Sequence, residues 1–168
     1  MQNAEPIEAL VALGSNLGDS RRILEQAFAR LQELSATPVA CSSLWRSSPV
    51  DCPPGSSDFI NAVAVIIPLP GETPESLLAK LRALEVEFGR APKIVLNEPR
   101  PLDLDLIAFG SEVRSTAQLI LPHPRASERR FVLAPLNEIA PGLVLPGQVR
   151  TVAELLDSLT PYERVERC

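Results

Sequence analysis

A chain of 168 residues fits one domain around a single core. Apolar residues make up 45% and charged residues 22%, ordinary values for a soluble globular protein, and the net charge of −5 argues against a general nucleic-acid binder, which is normally basic. No apolar run is long enough to span a bilayer and the first residues lack the layout of a secretion signal, so a cytoplasmic protein without membrane contact is expected. Cys41, Cys52 and Cys168 show neither metal nor redox spacing and read as reduced thiols.

Residues 7–13 (Ile-Glu-Ala-Leu-Val-Ala-Leu) read as a buried strand. The Gly-Ser-Asn-Leu-Gly segment at 14–18 is a turn. Asp19 or Ser20 can cap a helix whose Ile23, Leu24, Ala27, Phe28 and Leu31 form one apolar stripe as far as about Leu34. Residues 38–46 read as a second strand and 59–69 as a third, with a loop at 47–57 between them. Thr73 as N-cap and Pro74 at the first helical position open a second helix; Leu77, Leu78, Leu81, Leu84 and Phe88 line one face and Gly89 ends it. A Pro-containing stretch at 90–101 leads into a strand at 102–109. The order β-α-β-β-α-β is the split βαβ, so an α+β fold with a ferredoxin-like core is expected. Beyond it come a short strand at 119–121, a short helix at 128–138 and a last helix at 151–159. No repeat or linker divides residues 1–168, which read as one domain. Prolines cluster at 49–54, 92–101 and 122–124, predicting three shaped loops whose order is partly paid for before a ligand arrives.

The segment 100–107 (Arg-Pro-Leu-Asp-Leu-Asp-Leu-Ile) carries the most chemistry. In a strand, Asp103 and Asp105 share one face, and Leu102, Leu104 and Leu106 the other. Adjacent carboxylates repel, and the same face turns apolar at Ile107 and Phe109. A cation between the pair therefore explains it better than a solvated edge. Hard oxygen donors suit Mg²⁺, and Mg²⁺ points to a phosphorylated substrate. Arg90 and Arg100 bracket the preceding loop, and a guanidinium matches phosphate geometry. With Arg82 and Lys93, and with His123, Arg125, Arg129 and Arg130 further on, they form two local basic clusters on an acidic chain, a pattern suited to a small anionic ligand. His123, the only histidine, is held between Pro122 and Pro124. Asn61 faces opposite Ile60 and Ala62, and an amide can read a polar ring edge with a donor and an acceptor. Phe59 and Phe131, taken singly, read as core residues. A P-loop is excluded, since Gly-x-x-x-x-Gly-Lys is absent.

Segments in order at 12–18, 42–49, 58–62, 84–90, 99–106, 121–123, 129–131 and 135–141 together resemble the 6-hydroxymethyl-7,8-dihydropterin pyrophosphokinases, enzymes of folate biosynthesis. The likeness spans about residues 7–147. It implies a ferredoxin-like core with three mobile catalytic loops, and transfer of diphosphate from ATP to the pterin hydroxymethyl group with release of AMP. It also implies a probe set of site residues. Asp103 and Asp105 match aspartates that hold two Mg²⁺ ions, and Arg90 and Arg100 match catalytic arginines. Glu85, Lys93, Leu106, His123 and Arg129 match ATP-binding positions. Ser47, Ser48, Val50, Phe59, Asn61 and Phe131 match the pterin pocket. The partners implied are ATP and a hydroxymethyl dihydropterin, acting on a monomer.

The chain departs from that pattern just before the aspartates. Leu96, Asn97 and Glu98 stand where a basic residue, Trp and Gly are usual, and Pro101 follows the arginine in place of Thr. Pro124 replaces an aromatic, and Gln118 and Ile120 replace polar or basic contacts. A looser lid is expected, with Glu98 adding negative charge near the triphosphate. A diverged pterin- or nucleotide-binding paralogue without turnover, and a ferredoxin-like interaction module, are the alternative readings.

Overall fold

Strand β1 (Ala9–Ser15) is apolar on both sides, so it needs a packed layer on each face. In the computed structural model, which describes residues 4–49, 52–92, 94–160 and 163–168, it lies inside an antiparallel sheet. β4 (Phe59–Ile66) and β5 (Asp103–Phe109) flank it. β3 (Trp45–Ser47) pairs with β4, and β8 (Val165–Arg167) with β3, giving the order β5-β1-β4-β3-β8; β2 (Ala40–Cys41) also pairs with β4. A separate two-stranded sheet joins β6 (Arg114–Ser115) to β7 (Ile120–Leu121).

Helices α1 (Ser20–Gln32) and α2 (Pro74–Glu87) cover one face of the sheet. Leu24, Ala27 and Leu31 of α1 and Leu77, Leu81 and Leu84 of α2 pack on Val11, Leu13, Ala64, Leu104 and Leu106. The caps follow the sequence. Asp19 accepts from the Arg22 N–H, and Thr73 with Ser76 forms a capping box ahead of Pro74. Helices α3 (Arg130–Ile139) and α4 (Val152–Ser158) cover the opposite face, where Val132, Leu133, Leu136, Val152 and Leu155 meet Leu10, Val63, Ile107 and Ala108. Those sheet residues occupy one half of the face. The other half carries Gly14, Phe59, Asn61, Asp103 and Asp105, all of which line a cavity.

Three expectations are corrected. The strand expected at 38–46 is broken between β2 and β3: the Ser42 hydroxyl, not a backbone carbonyl, accepts from the Val63 N–H at 2.9 Å, and the Ser43 N–H turns to the Glu138 carboxylate at 3.0 Å. The face of β5 is not continuous to its end. Leu106 pairs with Val11 and Ala108 with Leu10, so Ile107 is the extra residue of a bulge. The bulge shifts the alternation. Ile107 and Ala108 both pack under α3 and α4, whereas Phe109 goes to the α1 and α2 side. Residues 128–138 are not one helix: a 3-10 turn (Ala126–Glu128) and α3 are separated by Arg129, whose φ of −105° and ψ of 109° are extended.

Candidate active site

The uncovered half of the sheet is the floor of a cavity of about 1300 Å³. Single-ligand sites span roughly 300–1,000 Å³, so this one has room for two ligands side by side. Its walls come from the ends of β1, β3, β4 and β5, from α2, and from the segments before β5 and α3. Glu85, Arg90, Arg100, Asp103, Asp105, His123, Arg129, Ser47, Ser48, Phe59, Asn61 and Phe131 all line it. Among these expected residues, positions as far apart as Ser47 and Phe131 are brought together here. Val50 and Lys93 lie outside the described residues. Leu106 does not reach the cavity: its side chain is buried on the opposite face among the α1 and α2 leucines, as the alternation from Asp105 requires.

The acid pair sits on the edge strand β5. Asp103 is 24% exposed; Arg90 Nη1 donates to its Oδ1 at 2.8 Å, and Arg100 Nη1 stands 3.9 Å from its Oδ2. Asp105 has less compensation. Burial pushes its carboxyl up to about 6, the charge on Asp103 adds to the effect, and Arg82 and Arg129 oppose it. The pair is thus short of positive charge, an environment that a hard divalent cation fits. Among the described residues no third carboxylate, His or Cys completes a ligand cluster. Further donors would be water and phosphate oxygens, which is how Mg²⁺ is commonly held.

Glu85 lines the cavity with its carboxylate engaged inside the protein. It is 2% exposed, and both carboxylate oxygens are taken: Oε1 accepts from Arg82 at 2.6 Å, while Oε2 accepts from Arg90 and, at 3.1 Å, from the Leu104 N–H. It therefore braces two cavity arginines against the start of β5. Burial opposes the charge on Arg90, but Glu85 and Asp103 together hold its pKa above the ordinary value. Arg82 was not singled out as a site residue by sequence reasoning. Its spacing of three from Glu85 on a helix is the signal that points to it. Arg125, expected only as part of a basic cluster, also lines the cavity, as do Glu128 and Glu163, which carried no signal in the sequence.

Arg100 is tied to the glycine-rich turn. Its N–H donates to Asn16 Oδ1 at 2.9 Å, and the Asn16 N–H donates to its carbonyl at 3.1 Å. Its guanidinium lies 5.9 Å from the Phe59 ring centroid, and that of Arg129 lies 5.4 Å from Phe131. Arg100 Nε and Asn16 Nδ2 are buried without a hydrogen-bond partner among the described residues. Asn61 is buried, and its Nδ2 donates to Ser47 Oγ at 2.7 Å, which leaves Oδ1 directed at the cavity floor beside Gly14. A Cβ on Gly14 would stand 3.6 Å from both Asn61 Oδ1 and Phe59 Cδ1, so the glycine keeps this corner open.

His123 follows the Leu121–Pro122 cis bond, and its N–H donates to the Ile107 carbonyl at 2.9 Å, the residue left over by the β5 bulge. Burial lowers its pKa, and Arg129 and Arg125 lower it further, so the ring is neutral near pH 7. Nδ1 accepts from the Arg125 N–H at 3.2 Å, which leaves Nε2–H as the free donor.

The segment 94–98 answers the expectation for Glu98. Its carboxylate accepts from the Ile94 N–H at 3.2 Å and the Val95 N–H at 3.3 Å, folding the charge into its own turn. Glu98 does not line the cavity; Asn97 does, in a left-handed conformation with φ 54° that an Asn adopts more readily than a bulky aromatic.

Residues 10–141 match the sequence model of 7,8-dihydro-6-hydroxymethylpterin-pyrophosphokinase (HPPK). The chain is 39% identical over 158 residues to the 2-amino-4-hydroxy-6-hydroxymethyldihydropteridine pyrophosphokinase of Pseudomonas aeruginosa, covering 94% of each. It is 37% identical to the Haemophilus influenzae protein of the same name, with 95% of this chain and 98% of that one aligned. Among solved structures it resembles a Plasmodium falciparum HPPK-DHPS at TM-score 0.71 and 14% identity, covering 93% of this chain and 46% of that one. A second HPPK-DHPS crystal structure gives TM-score 0.70 at 13% identity, with 92% of this chain covered. This chain spans less than half the length of those two proteins, and at such identity the likeness concerns the fold. With two near-full-length relatives above a third identical and a family match over most of its residues, the chain belongs to the 7,8-dihydro-6-hydroxymethylpterin-pyrophosphokinase family.

Proposed function

We propose that this protein transfers diphosphate from ATP to the hydroxymethyl group of 6-hydroxymethyl-7,8-dihydropterin, giving AMP and the pterin diphosphate for folate synthesis. The observation that carries this reading is the junction at Arg100. Its guanidinium lies against the Phe59 ring and near Asp103, so a ring-binding wall and a phosphate-binding wall meet in one cavity.

The pterin is flat with polar edges, and it fits beside Phe59 and Phe131 with Asn61 Oδ1 accepting from a ring-edge N–H. Ser47 and Ser48 line the same end of the cavity. The triphosphate extends toward Asp103, Asp105 and the arginines, and neutral His123 donates from Nε2 to it. Asp103 and Asp105 would hold Mg²⁺, two ions being proposed. Bound there, the metal supplies neutralisation of the triphosphate and a more acidic hydroxyl nucleophile. The hydroxyl oxygen bonds to the β-phosphorus, the bond from that phosphorus to the α,β-bridging oxygen breaks, and AMP leaves with the electron pair. Arg90 and Arg100 offset negative charge that moves toward the bridging oxygen. Closure of the neighbouring loops excludes water, which would otherwise compete for the diphosphate.

The finer structural reading goes with this function. With β2 and β3 counted as one interrupted strand, the sheet order supports the reading of a ferredoxin-like βαββαβ core with added C-terminal elements. Three mobile catalytic loops around the cavity belong to the same proposal. A monomeric, single-domain enzyme in the cytoplasm, with no nucleic-acid or membrane partner, completes the proposal. In the described residues no helix is long and apolar enough to cross a membrane.

The test is AMP release from ATP. Release that requires both the hydroxymethyl dihydropterin and Mg²⁺ supports the assignment. Tight binding of an ATP analogue without AMP release would leave a binding protein instead.

A further inference from the structure

We infer that Arg90 is an internal placeholder for the divalent ion at Asp103, and that Glu85 is the positioning residue that keeps it within reach; this rests on the assignment of Asp103 and Asp105 as the metal pair.

One nitrogen of Arg90, Nη1, serves two carboxylates at once: Asp103 Oδ1 at 2.8 Å and Glu85 Oε2. The oxygen it holds on Asp103 belongs to the group that a metal would need. Arg90 is only 19% exposed, so its charge is poorly screened by water. A guanidinium and a divalent ion held against the same carboxylate oxygen repel each other at short range, the more so where water screens them poorly. Metal entry therefore breaks the Arg90–Asp103 bond. It does not break the bond to Glu85, which is buried, receives the Leu104 N–H as well, and has no oxygen directed to a ligand. Arg90, still paired with Glu85 but released from Asp103, then swings about that anchor and turns its remaining N–H groups to the phosphates. Metal loading and arming of the arginine become one event. The cation-free site also avoids leaving two bare carboxylates facing each other.

Arg82 provides the control, because it carries the same charge at the same wall. It acts on Asp105 through space, but its hydrogen bonds go to Glu85 and the Leu104 carbonyl and not to Asp103. Mn²⁺ affinity of the nucleotide-free protein, read by the electron paramagnetic resonance of free Mn²⁺, separates occupancy from charge alone. Arg90→Gln is expected to tighten Mn²⁺ binding by about five-fold or more, and Arg82→Gln by about two-fold or less. Equal gains in the two variants, or none in Arg90→Gln, overturn the placeholder. Asp103→Asn and Asp105→Asn distinguish this failure from a wrong metal site: if Mn²⁺ binding is unchanged in both, the metal assignment itself is lost. A second measurement needs no variant. In crystals of the wild type grown with Mg²⁺, Arg90 Nη1 should lie beyond hydrogen-bond distance of Asp103 while still touching Glu85. An ion on Asp103 with the 2.8 Å contact intact refutes the proposal.

Discussion

Replacing Asp105 by Asn is expected to stabilise the metal-free protein at pH 8 while weakening metal binding. In the folded chain the Asp105 carboxyl titrates at about 6, against an ordinary 3.8, because it is buried and faces Asp103. At about 1.36 kcal/mol per pH unit, the gap corresponds to a cost of about 3 kcal/mol for keeping the carboxylate charged in the folded state. The sign follows from proton binding. The folded state holds this proton more tightly than the unfolded state, so the group costs nothing well below pH 3.8. Its cost grows as pH rises between about 3.8 and 6 and is constant above. Asn carries no such charge. The difference in unfolding free energy between Asp105→Asn and wild type, from urea denaturation in EDTA, should therefore be near zero at pH 3 and approach about 3 kcal/mol by pH 8. For a chain of this size that is an upward shift in Tm of about 6–12 °C. Comparing the two proteins at each pH cancels the carboxylates that do not face Asp105. Added Mg²⁺ should then close the gap, since it stabilises only a protein that binds it. A difference that does not change with pH, or an Asn variant less stable at pH 8, would refute the electrostatic account of the pair.

Glu85→Gln keeps the side-chain shape but removes the charge that Arg82 and Arg90 share, and should lower stability by about 2–4 kcal/mol in denaturant titrations. Gly14→Ala places a methyl group 3.6 Å from Asn61 and Phe59, an ordinary packing distance. It should therefore leave Tm nearly unchanged while raising the pterin KM by about ten-fold, with the ATP KM little affected. Glu138→Ala removes the acceptor of Ser43 N–H, Ser43 Oγ–H and Trp45 Nε1–H. Calorimetry should show a loss of about 2–3 kcal/mol, and the pterin KM should rise as well, because β3 carries Ser47.

Much of the scaffold was legible in local pattern. The stripe of Leu24, Ala27 and Leu31 and the Thr73-Pro74 start specify helices without reference to the rest of the chain. The α4 start carried an equally local signal, Thr151 capping with Glu154, although its cap was not read. Strand β8 was missed because its three residues carry no apolar alternation; it exists only through pairing with β3. The bulge at Ile107 likewise depends on the register against β1, so the face of Phe109 was misread while those of Asp103 and Asp105 were right. The same applies to the interruption at Ser42, which answers to Val63 and Glu138 far along the chain.

By itself the sequence determined helices α1, α2 and α4, the central strands, the single-face placement of the two aspartates and, through its assembled motifs, the family. These depend on periods and on residue types a few positions apart. Only the tertiary structure decided what each polar group touches. It set Glu85 as a brace between two cavity arginines, sent Leu106 into the core and folded the charge of Glu98 back into its own turn. It also set Arg90 on Asp103. The physical reason is that charge and hydrogen bonding act across a few ångströms of space, and the partners that compete for one carboxylate lie on elements that meet only when the sheet is assembled.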